Sequence, residues 1–72
     1  MTRDEHLEWC KMRAREYLRD HDIKNAVTSM LSDLSKHPET ADLAHGGFVK
    51  VGIHVIVMQD QGLAERFVEG FR

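Results

Sequence analysis

The chain has 72 residues, of which 42% are hydrophobic, and its 10 basic and 12 acidic side chains give a formal net charge of -2. A chain this short is expected to be a single domain, residues 1–72, because a divided core could not offset the conformational entropy that folding removes. The balanced charge disfavours a nucleic-acid partner and a role as a transcriptional regulator, because proteins that bind nucleic acid contact its phosphates through dense Lys and Arg side chains. Cys10 is the only cysteine, and no apolar run approaches the roughly 20 residues that span a bilayer. We therefore expect no disulfide, no membrane partner and a reducing, cytoplasmic location.

The first predicted element is a helix that begins at about Arg3. Thr2 and Glu5 have the spacing of a capping box, in which each side chain accepts a hydrogen bond from a free backbone N–H of the first turn. Apolar residues then recur at spacings of three and four, which is typical of a helix with one buried face; they are Leu7, Cys10, Ala14, Tyr17 and Leu18. We expect the opposite, charged face, which includes Lys11, to lie in solvent, and His6 to lie at the surface of the first turn.

A second helix is predicted over residues 23–36. Asp22 is a good N-cap for it, and its apolar residues lie four, three and four apart, at Ile23, Val27, Met30 and Leu34. The helix must end at His37, because Pro38 disfavours helical backbone in the residue before it. Residues 38–47 are rich in turn-forming residues and predict a connection with a short helical turn.

Residues 48–58 allow two interpretations. Their β-branched residues alternate with a period of two, which favours a strand; these are Val49, Val51, Ile53, Val55 and Val57. A strand needs a partner and the chain offers no second candidate, whereas a helix gives a coherent apolar face, with Gly52 allowing close approach of another helix. We predict a helix here and a final helix over 63–69. The predicted fold class is thus all-α, a small bundle of helical hairpins; the alternative is α+β, with residues 48–58 as a strand that pairs with its copy across a dimer.

The same segment predicts self-association. It is apolar on nearly every side, and three other short helices cannot cover its whole circumference. We expect a homo-oligomer, most simply a two-fold dimer. The expected interface residues are Phe48, Val49, Ile53 and Ile56.

Five residues of the first helix are candidates for binding a partner. Trp9 lies at the edge of the apolar stripe, where it either completes the core or joins Met12 and Arg13 in an aromatic, methionine and arginine surface of the kind that anchors protein interfaces. Arg15 and Arg19 could hold a small signalling nucleotide between subunits.

The chain shows no recognisable catalytic or metal motif. His6 and Cys10 have a spacing that can supply two zinc ligands, but no paired Cys or His motif completes the set. Cys10 belongs to the apolar stripe, and Ser29, Ser32 and Asp33 are too close in sequence to form a triad, so they are interpreted as the polar side of the second helix. We predict no catalytic residue, no metal and no cofactor.

Two resemblances bear on function. In the first hairpin, the spacing of Ala14, Tyr17, Ala26 and Pro38 loosely resembles a single tetratricopeptide repeat, although Asp33 stands where those repeats have a small residue. That resemblance implies a helical-hairpin adaptor module.

The second resemblance covers nearly the whole chain. Residues 1–11 (MTRDEHLEWCK), 29–40 (SMLSDLSKHPET) and 67–71 (FVEGF) resemble a group of small uncharacterised bacteriophage proteins. The resemblance implies a phage origin and a place in the cytoplasm of an infected bacterium. Short phage accessory proteins without an enzyme signature often inhibit host systems. We therefore expect a non-enzymatic protein that binds a host or defence protein; the alternatives are an oligomer that sequesters a small signalling nucleotide and the adaptor module.

Overall fold

The computed structural model describes residues 2–44 and 47–71, and positions 1, 45, 46 and 72 of the predicted domain and connection lie outside them. Over the described residues the chain forms helices and no strand. They are α1 (Arg3–Arg19), α2 (Ile23–Leu34), a single 3-10 turn η1 (Ala41–Ala44), α3 (Gly47–Met58) and α4 (Gln61–Glu69). The all-α prediction is confirmed. The strand alternative for residues 48–58 is wrong, because these residues lie in α3.

Side-chain caps set the helix ends. The Thr2 hydroxyl accepts a hydrogen bond from Glu5 N at 3.1 Å, and Thr2 N donates to Glu5 Oε1 at 3.0 Å, so the predicted capping box is present. Asp22 caps α2 as predicted. However, α2 ends at Leu34, two residues before the predicted end at position 36. Buried Thr40 donates through Oγ1 to the Leu34 carbonyl at 2.6 Å, which satisfies one of the oxygens that a helix C-terminus leaves free.

The α1–α2 hairpin forms the larger part of the core, and α4 packs against both of its helices. The α3 helix packs against α2, η1 and α4. Phe71 is buried after the last helix and contacts Phe67 and Phe48, with ring centroids 5.1 and 5.0 Å apart. The buried cluster contains residues of all four α-helices; the fully buried ones of α1 and α2 are Cys10, Ala14, Ala26, Val27, Met30 and Leu34.

The burial of Tyr17 and Lys11 in α1 differs from the prediction, as does that of His6, which is described with the candidate site. Tyr17, placed in the apolar stripe by its spacing, is 37% exposed. It lines an open cleft with Asn25 and Ser29, whose short side chains leave the ring accessible. Lys11, expected in solvent, is 7% exposed, because α4 covers that side of α1. Its Nζ donates to the Glu69 carbonyl at 3.4 Å.

Gly52 brings α3 close to α2 and α4, which confirms the role predicted for it. A Cβ at this position would lie 3.0 Å from Val27 Cγ1, 3.2 Å from Leu31 Cδ1 and 3.4 Å from Phe67 Cζ. A larger side chain would therefore push the helices apart.

We expect Gly52→Val to lower the free energy of unfolding by about 1–3 kcal/mol, the usual cost of overpacking a core. Urea unfolding followed by far-UV circular dichroism measures this. Gly47→Ala is the matched control, because a Cβ at Gly47 meets nothing within 4 Å and alanine favours helix; it should be neutral or stabilising. Wild-type stability in Gly52→Val would contradict the close packing of α3.

Candidate functional site

A buried carboxylate joins α1 to the C-terminal end of α2. Asp33 is 1% exposed, and its oxygens accept hydrogen bonds from Arg13 Nε at 2.7 Å, Lys36 Nζ at 3.0 Å and Ser29 Oγ at 3.2 Å. Burial raises the pKa of Asp33, but the hydrogen bonds from Lys36 and Arg13 outweigh it and hold the pKa below its ordinary value. Three donors thus compensate a charge that would be costly to bury alone.

This network makes the free energy of unfolding depend on pH in the acid range. Because the pKa of Asp33 is lowered on folding, its charge stabilises the protein at pH values above its ordinary pKa of 3.8, and the contribution is lost as pH falls through the folded pKa. We expect the difference in unfolding free energy between wild type and Asp33→Asn to be constant near neutrality and to shrink below about pH 3.8. Urea titrations of both proteins across this range measure it. A difference that stays constant down to pH 2 or so would contradict the lowered pKa.

The contact between α1 and the end of α2 that contains Arg13, Asp33 and Lys36 is called here the polar seam. His6 lies inside this seam, so the prediction that it is a surface residue is wrong. It is 6% exposed, because the end of α2 packs over the first turns of α1. A carbonyl oxygen only accepts, so His6 Nε2 carries a proton and donates to the Asp33 carbonyl at 2.8 Å. The His6 ring also stacks on His37, with centroids 5.0 Å apart.

Trp9 is partly buried and packs against the core, which is the first of the two alternatives predicted for it. Its ring stacks on His6, with centroids 5.4 Å apart, and the guanidinium carbon of Arg13 lies 5.0 Å from its centroid. His6 and Arg13 lie one turn before and one turn after Trp9 on the same side of the helix. Trp9 therefore completes the seam while remaining partly exposed. Met12, next to it on the outer side of α1, is 51% exposed.

Arg15 and Arg19 lie on the other side of α1, toward α4. Both line a cavity of about 580 Å³, together with Leu18 and Glu69. Arg15 donates through Nε and Nη2 to both carboxylate oxygens of Glu69, at 2.7 and 2.9 Å, and its Nη1 lies 3.8 Å from Glu8. The hydrogen bonds from Arg15 hold the pKa of Glu69 below its ordinary value. The charge of Arg15 is thus balanced within the chain, whereas Arg19 is exposed.

Four of the five predicted partner-binding residues therefore form two groups. Trp9 and Arg13 lie on the α2 side of α1, Arg15 and Arg19 lie on the α4 side, and Met12 lies between them.

The α3 helix exposes the most apolar surface. Gly52 and Val55 are its buried residues. Five large side chains reach solvent, with exposed fractions of 44% for Phe48, 50% for Val51, 57% for Ile53, 72% for Val57 and 54% for Met58. Phe48 and Ile53 of the predicted self-association set belong to this surface.

The other two predicted residues, Val49 and Ile56, are half-buried and line a groove between α2 and α3. The groove has a volume of about 410 Å³, and its α2 wall includes Leu31. The groove and the exposed side of α3 are continuous, since Ile53 also lines the groove.

Cys10 is fully buried. Burial raises the pKa of its thiol to about 11, and the charge of Asp33 adds to the rise. The thiol is therefore protonated near neutral pH, the form that is a poor nucleophile and metal ligand.

Within residues 2–44 and 47–71, no three histidine, cysteine or acidic side chains are grouped so that they could hold a metal ion. In the same part of the chain, no helix has both the length and the apolar character needed to cross a membrane. No protein-family model, curated protein or solved structure matches this chain.

Proposed function

We propose that this protein works by binding other proteins rather than by catalysis. The observation that carries the proposal is the apolar surface of α3, where five large side chains are 44–72% exposed. A concentration of exposed apolar side chains on one helix of a small protein favours an interaction site. Two side chains with catalytic potential are engaged in the fold instead, since Cys10 is buried and Asp33 is held by Arg13 and Lys36.

The resemblance of three stretches to small bacteriophage proteins supports a phage accessory protein that acts in the cytoplasm of an infected bacterium. Its partner is then a host or defence protein, which it inhibits. We place the contact with this protein at Trp9, Met12 and Arg13. Met12 is half-exposed, and Arg13 is held in place by Trp9 and Asp33. Methionine and ordered arginine side chains of this kind are enriched at the centres of protein interfaces.

The α3 surface is assigned to a second copy of the chain. Self-association supplies buried area that a domain of this size lacks. The two-fold dimer is the commonest closed form. The two surfaces lie on different helices, so one dimer can present two target-binding faces.

Affinity purification from a bacterial lysate tests the assignment of the α1 surface. We expect tagged wild type to retain a host protein that Met12→Asp does not retain, and the purified pair to bind directly in calorimetry. Lys24→Asp, an exposed substitution on α2, is the matched control and should behave as wild type. Equal retention by wild type and Met12→Asp would contradict the α1 surface, and absence of any directly binding protein would contradict the function.

A small-nucleotide binding role is favoured by one observation, the cavity that contains both Arg15 and Arg19. Mass spectrometry of the denatured, freshly purified protein tests it. A nucleotide that is released from wild type but is missing from Arg19→Glu would support sequestration. Its absence from both proteins would leave Arg15 with a structural role, as the ion pair with Glu69 indicates.

A further inference from the structure

We infer that the second copy lies with its α3 antiparallel to α3 of the first copy, in the groove between α2 and α3. This inference rests on the proposed dimer and adds its geometry. Val49 and Ile56 line the groove, and Ile53 and Val57, 57% and 72% exposed, form a ridge beside it. A groove next to a ridge suits a two-fold interface, because each copy supplies the ridge that fills the other's groove.

The exposed apolar side chains of α3 are spread along the length of the helix, from Phe48 to Met58. A standard interface covers about 800 Å² of each partner, and the chain exposes 4540 Å² in all. The α3 helix has 12 residues and is therefore about 18 Å long. The ridge of Ile53 and Val57 lies on the same side of this helix as Val49 and Ile56, and the facing wall of α2 adds Leu31.

Charge selects the antiparallel orientation. Lys50 lies in the first turn of α3, a helix that contains no acidic residue. In a parallel pair, Lys50 would face its own copy. In an antiparallel pair, it lies beside the C-terminal end of the other α3, where the helix dipole places partial negative charge and exposed Asp60 follows. Helical side chains tilt toward the N-terminus of their helix, so Lys50 points toward that end of the second copy.

Cysteine cross-linking tests this arrangement. Val49, Ile53 and Val57 lie four residues apart along one stripe of α3, and native Cys10 is fully buried. With Ile53 at the two-fold axis, we expect Ile53→Cys to form disulfide-linked dimers by itself. We also expect Val49→Cys and Val57→Cys to link to each other when mixed and to form few dimers alone. Non-reducing electrophoresis after mild oxidation measures all three, with Glu16→Cys, exposed on α1, as the unlinked control.

The outcomes separate the geometry from the dimer itself. Efficient self-linking of both Val49→Cys and Val57→Cys would indicate a parallel pair and overturn the inference while the dimer stands. Linking of none of the α3 cysteines in a protein that light scattering shows to be dimeric would place the interface elsewhere. A monomeric wild type would refute the dimer as well, and loss of a directly binding host protein in Ile53→Asp would then assign the groove to that protein.

Discussion

Arg13→Met is expected to lower the free energy of unfolding by more than the substitution of an exposed arginine does, because it removes one of the three donors that compensate the buried charge of Asp33. The substitution keeps a long apolar stem but removes the donor 2.7 Å from the Asp33 carboxylate. Asp33, 1% exposed, would retain Lys36 and Ser29, and the Trp9 ring would lose the guanidinium beside it. Urea unfolding measures the change.

The control is Arg19→Met, which removes an exposed arginine from the same helix and should change stability by less than about 0.5 kcal/mol. A double variant, Arg13→Met with Asp33→Ala, should recover at least half of the loss, because no buried charge then remains. If Arg13→Met and Arg19→Met prove equally stable, Arg13 does not compensate Asp33.

The helices could be predicted from the sequence because their signals are local. The Thr2–Glu5 capping box and the Asp22 cap act within one turn of helix. The spacing of apolar residues in α1 and α2 indicates which side of each helix faces the core. The α3 helix is harder to predict, because β-branched residues that alternate with a period of two locally favour a strand. The helix could be predicted because the chain offers no partner strand. The close packing of Gly52 against Val27 shows that this helix needs a residue without a side chain where it approaches α2.

The polar seam could not be predicted, because burial of a charged residue depends on donors from another element. Asp33 and His6 read as polar surface residues on their own helices, and only the packing of α2 against α1 brings them together with Arg13. One signal was present: Asp33 stands where a tetratricopeptide repeat has a small residue, which places it where two helices approach closely. The separation of Arg15 and Arg19 from Trp9 could not be predicted for the same reason, because it depends on α2 and α4 packing on opposite sides of α1.

The second prediction with a large expected effect concerns the exposed surface of α3. Ile53→Asp should dissociate the proposed dimer, raising its Kd by about 100-fold or more, because a carboxylate would enter an apolar interface where truncation of a central residue alone often costs 2 kcal/mol or more. The substitution should leave the fold intact, since Ile53 is 57% exposed in the single chain. Size-exclusion chromatography with light scattering at micromolar concentration distinguishes the dimer from the 8.3 kDa chain.

Met12→Asp is the matched control for this experiment. It places the same charge on a side chain of similar exposure, 51%, on a helix that lies outside the proposed interface. We expect Met12→Asp to remain dimeric and Ile53→Asp to be monomeric, with equal helical content by circular dichroism, so that dissociation is separated from unfolding. If both variants stay dimeric, the interface does not include Ile53; if both dissociate, α1 belongs to the interface and cannot also present the target-binding surface.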